Sequence, residues 1–148
     1  MHTNVAGELI KVVEASYPAL KQINDTDALV RPEAGKWSKK EILGHLIDSA
    51  VNNHHRFVRA QQLEELTFPR YEQEEWVNLQ GYQACSWQEL IELWRLYNRQ
   101  LAHVMRLIRA EKLAVMCKIG PYEPVSLGYL VADYLAHLKH HLNQIGVA

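Results

Sequence analysis

Two cysteines, Cys85 and Cys117, are too few in 148 residues to staple a fold, and with no secretory segment in view they predict reduced thiols in a cytoplasmic protein. Long apolar runs are missing too. The opening stretch MHTNVAGELIKVVEASY is interrupted by Glu8, Lys11 and Glu14, and nothing later approaches the roughly twenty residues of a membrane span, so a membrane partner is not expected. Nor is one sign of charge in excess: 16 Lys and Arg stand against 17 Asp and Glu, and no segment gathers like charge. A nucleic-acid partner is thereby disfavoured, because phosphate binding needs a basic stripe. Several catalytic signatures are absent as well. The chain has no G-x-S-x-G, no P-loop and no dinucleotide fingerprint. It has no H-E-x-x-H, since Leu138 follows His137, and no Glu-x-x-His recurring on two helices as a di-iron bundle requires.

What is present is helical periodicity, in a length that suits one domain over residues 1–148. The first helix is expected from about Asn4 to Leu20 on a stripe of Val5, Leu9, Val12, Val13 and Leu20, with Pro18 positioned to close it early. The second begins after Trp37 with a capping box, Ser38 to Glu41, and runs to about Gln61, with Leu43, Leu46, Ile47, Ala50, His54, Phe57 and Val58 on one face. A polar crossover from Gln62 to Cys85 follows, with a short helical turn in YEQEEWVNL. A second capping box, Ser86 to Glu89, opens the third helix, whose stripe includes Trp87, Trp94, Leu101 and Ile108. Leu113 to Val125 is β-rich around Gly120-Pro121, which predicts a small hairpin or loop, and Ser126 caps a last helix reaching Ile145. The predicted fold is all-α: a four-helix bundle with one long crossover between the second and third helices. Such bundles build metal sites from side chains on facing helices.

Eight histidines make that site the first place to look. His137 and His141 are one turn apart on the last helix, so their imidazoles share a face and can share a metal. They sit at the edge of the apolar stripe beside Asp133 and Gln144, a border with one buried flank and one open one. His45 lies off the stripe of the second helix, on a seam with Ser49, Asn52 and Arg56, where periodicity alone places it toward solvent. Should that seam line a cleft shared with the last helix, three imidazoles meet there, and three protein ligands with an open position make a catalytic rather than a closed site. His54, within the stripe, is the rival third ligand or else a hydrogen-bonded core histidine. His2, His55, His103 and His140 read as surface or structural residues.

The segments WSKKEILGHLIDS and AHLKHHLNQI together resemble the DinB superfamily of metal-dependent four-helix proteins, over most of the chain from Val30 to Ile145. The likeness is greatest to its bacillithiol S-transferase and metal-dependent hydrolase branch, through RPEAGKWS, through Asn52, Arg56 and Phe57, and through Tyr71, Glu72, Glu74 and Trp76. His54 and His55 depart from that branch. The resemblance implies that His45, His137 and His141 hold one divalent ion, nickel or zinc. It also implies transfer of a bacillithiol-like thiol to an electrophilic substrate. Arg56, on the seam of His45 with Asn52 beside it, is the natural clamp for a carboxylate of that thiol, because its planar fork pairs with carboxylates. The alternatives are metal-assisted hydrolysis of an amide or ester and a non-catalytic metal-binding stress protein. A homodimer is a further expectation, from the habit of the branch and the apolar surface of the third helix.

Overall fold

The computed structural model describes residues 2–147. Four long helices carry it: α1 (His2–Gln22), α3 (Lys39–Gln61), α5 (Trp87–Leu107) and α6 (Leu127–Ile145), with a short α2 (Asp25–Leu29) between the first two. Helices α1 and α3 each pack against both α5 and α6. The apolar stripes meet in one core that includes Leu9, Leu43, Phe57, Trp87, Trp94, Leu101, Leu127 and Leu138, all but completely buried. The expected bundle is therefore present, with the crossover between α3 and α5.

The caps explain where these helices start. Ser38 Oγ accepts the Glu41 N–H while the Glu41 carboxylate accepts the Ser38 N–H, a complete capping box. Arg31 Nε also reaches Glu41, at 2.8 Å, and holds that carboxyl below the usual carboxylate range. Ser86 makes only half of the second box, accepting the Glu89 N–H, and Ser126 accepts the N–H of Tyr129. Pro18 does not close α1. The helix continues to Gln22 because a proline removes one backbone hydrogen bond, and here the final turn is secured by burial of Leu20 and by the Trp87 indole, which donates to Leu20 O at 3.2 Å and Ile23 O at 3.0 Å.

The crossover is more ordered than a polar loop. It contains β1 (Glu65–Phe68), α4 (Gln73–Gln80) and a 3-10 turn at Tyr82–Ala84. The stretch before α6 forms a second 3-10 turn (Ala110–Ala114) and then the expected hairpin, β2 (Met116–Ile119) antiparallel to β3 (Val125–Ser126). Strand β1 joins it in parallel, Leu66 facing Cys117, in the order β1-β2-β3. The sheet ties the crossover to the start of α6 and so fixes α4 beside α3. Among the described residues no helix is long and apolar enough to cross a membrane.

Candidate metal centre

Helix α3 supplies His45 and helix α6 supplies His137 and His141, from neighbouring positions in the bundle. One ligand atom from each lies within 4.8 Å of the other two. The His137 Nε2 atom is 3.2 Å from that of His45 and 3.1 Å from that of His141. Three imidazoles crowd edge to face around one point, with ring centroids 4.5 to 5.0 Å apart. His45 is completely buried, under the Trp37 ring at 4.9 Å, where periodicity placed it toward solvent. The helix is covered on its polar side by the crossover, whose Tyr82 ring packs on Gly44, and by the segment leading into α3.

These residues fit a divalent ion on three counts. Ring nitrogens about 2.1 Å from one ion stand roughly 3.0 to 3.4 Å apart for angles between octahedral and tetrahedral, which brackets the observed separations. The rings are also held neutral, as ligation demands. Burial, with the neighbouring His137 and His141, pushes His45 down to about 3, and burial, with His141 and His140, pushes His137 to about 4; burial lowers His141 as well. Finally, the Gln144 side-chain oxygen lies 2.8 Å from His141 Nδ1, so Nδ1 carries the proton and the Nε2 lone pair faces the cluster.

His137 opens onto a cavity of about 950 Å³ between α3, α4 and α6, at the upper end of the usual size for small-molecule sites. Ser49, Asn53 and Arg56 form its α3 wall. Asn52 is not brought there: its side chain donates to Asp48 O at 2.9 Å and faces a second cavity of about 570 Å³. Tyr71 lines both cavities, as do Arg70, Glu72 and Glu75, so the segment between β1 and α4 stands between them. Burial, with Asp48 adding to it and Arg56 and Ser49 opposing, raises the Tyr71 phenol to about 12. Arg56 is nine-tenths buried, its Nε has no hydrogen-bond partner, and no carboxylate pairs with it among the described residues. His54 stands outside the cluster, bonded through Nδ1 to Tyr97 Oη at 2.9 Å, and His55 stacks on Phe68.

Two features were invisible to spacing. Asn53, rather than Asn52, reaches the cavity, because the phase of a helix face cannot show where a loop side chain will split it. Asp48 is the other. It is completely buried, accepts Tyr82 O–H at 2.6 Å and a Gln80 N–H at 3.0 Å, and burial raises its pKa. Its position one turn after His45 was the only signal available.

The model of the DinB superfamily matches residues 8–145. Among solved structures, YfiT from Bacillus subtilis, described as a probable metal-dependent hydrolase with an unusual four-helix bundle topology, is similar with a TM-score of 0.78. The two are 21% identical, over 95% of this chain and 83% of that one, a likeness that speaks for the fold. No curated protein matches. With a family match spanning nearly its whole length, on a bundle of the same topology, the chain belongs to the DinB superfamily.

Proposed function

We propose that this protein is a metal-dependent enzyme that transfers a low-molecular-weight thiol to an electrophile, with His45, His137 and His141 as the ligands of one divalent ion, nickel or zinc. The observation that carries the reading is the convergence of three neutral imidazoles, one of which, His137, opens onto a large cavity. An ion held there lowers the pKa of a bound thiol, so that it is present as the thiolate at neutral pH. The protein's own residues do the rest. Gln144 fixes the His141 tautomer, and burial keeps the rings from taking up protons that would compete for their lone pairs. Tyr71, its pKa raised by burial, keeps its proton at Oη and can donate a hydrogen bond to an oxygen of the electrophile within the cavity.

Hydrolysis of an amide or ester is the second reading, favoured by the description given to YfiT. Attack by water ordinarily enlists a general base, and none belongs to the three-histidine cluster itself, the carboxylates at hand being those of the cavity lining such as Asp133. Deprotonation alone makes a thiol strongly nucleophilic, which is why transfer fits this donor set better. The test is turnover of a panel of electrophiles by the nickel- or zinc-loaded protein with and without added thiol. Conversion that needs both thiol and metal is the expected result. Water addition without thiol would replace transfer with hydrolysis, and absence of any conversion beside tight metal binding would leave a metal-binding protein.

A further inference from the structure

Arg56 is a buried charged side chain with an unsatisfied donor. A guanidinium carries five N–H donors and keeps its charge at any ordinary pH, so burying it without a partner is costly. Here Nε is buried and unpartnered, no carboxylate among the described residues is paired with the side chain, and the Phe68 ring lies 5.8 Å from the guanidinium. The same side chain lines the cavity onto which His137 opens. A charge left uncompensated in the protein, at the wall of a cavity, is one to be compensated by a ligand.

The position of Arg56 on α3 sets the distance. His45 and Arg56 are eleven residues apart on one continuous helix, about 16 Å of rise and only about 20° out of register around the axis. Both side chains lean toward the helix N-terminus, the longer arginine further, which leaves roughly 10 Å between the histidine cluster and the guanidinium. Ser49 and Asn53 lie between them on the same wall, so the path is lined with hydrogen-bonding groups. The lining also holds Arg70, which is itself paired with Glu72, and the carboxylates of Glu74, Glu75, Glu123 and Asp133. Arg56 is thus the one lining guanidinium without a carboxylate partner among the described residues, in surroundings with more carboxylates than guanidiniums, which suits a singly charged anion and repels a dianion.

We infer that Arg56 is a substrate-measuring residue: the protein selects an elongated substrate whose terminal carboxylate pairs with Arg56 while its reacting end lies at the three histidines. A span of roughly 10 Å is about three residues of extended backbone, so the substrate class is an acid of tripeptide size, not a small acid and not a phosphate ester. This rests on the metal centre proposed above and holds for either chemistry at it.

The experiment uses the nickel-loaded protein and a series of straight-chain acids bearing a hydroxamate, a metal-binding head, at the other end, each paired with its methyl ester. Dissociation constants are measured by calorimetry. The acid should bind at least tenfold more tightly than its ester once the chain reaches roughly 10 Å, with no preference in the shortest members and none when a phosphonate replaces the carboxylate. In Arg56→Met the preference should vanish while the bound nickel and the affinity for the esters stay unchanged, and Arg56→Lys should restore part of it. A preference that survives in Arg56→Met, or that is already full in the shortest acids, overturns the inference alone. If the esters also fail to bind, the metal centre falls with it.

Discussion

At the scale of single residues, neighbouring histidines are separated by chemistry that a sequence hardly distinguishes. His140 and His141 are adjacent on α6, about 100° apart around the axis. Only His141 joins the cluster, and its Nδ1 is turned by Gln144; His140 lies on the exposed side. His141→Ala is therefore expected to abolish stoichiometric nickel or zinc binding with the helical circular dichroism unchanged, whereas His140→Ala should leave metal content as it was. Metal analysis of the two dialysed variants checks this. Equal behaviour would remove His141 from the ligand set. His54→Ala is a useful companion, since its hydrogen bond to Tyr97 places it in the packing, and metal lost from that variant would show that the cluster draws on it.

Elements, rather than residues, decide which parts of α3 are buried, and here the sequence was only partly legible. The four bundle helices and all three serine caps could be read from period and capping chemistry, because both are local signals. The pair His137 and His141 was legible for the same reason. His45 was legible as a partner but not as a buried one: its burial comes from Trp37 and from the crossover, whose docking on α3 is a long-range event with no periodic trace. The parallel pairing of β1 with β2 is equally non-local. Gly44 tests the docking. A Cβ there would stand 2.1 Å from the Tyr82 ring, and Tyr82 in turn donates to the buried Asp48. In an exposed helix Gly→Ala gains up to about 1 kcal/mol. In Gly44→Ala the overlap should outweigh that gain by roughly 1 to 3 kcal/mol, lowering the melting temperature. A stabilised variant would mean that the crossover does not pack on α3 as described.

For the molecule as a whole, folding and metal binding should be separable, because the core is a continuous apolar cluster that does not pass through the ion. The metal-free protein is expected to keep its helical circular dichroism at pH 7, but the buried histidines make its stability depend on pH in a definite sense. In the folded chain His45 titrates near about 3 and His137 near about 4, against about 6.5 in an unfolded chain. Between those limits the unfolded state binds more protons, so stability rises with pH and is lost as the pH falls below about 6.5. Asp48 acts the other way, since burial raises its pKa and the folded state takes up its proton first. It is one carboxyl against the two histidines and His141, which burial also lowers, so the histidines dominate. Glu41, lowered by Arg31, adds to the loss only in the carboxylate range below about 4.5. Thermal melts of the chelator-treated protein should thus show a melting temperature falling steadily from pH 7 toward pH 4.5. At pH 7, nickel or zinc at a hundredfold its dissociation constant should add about 2.7 kcal/mol by mass action, and this increment should be absent from His141→Ala. A metal-free melting temperature that is flat over that range, or that rises on acidification, would show that the three imidazoles are not held neutral by burial, and the ligand set would have to be drawn again.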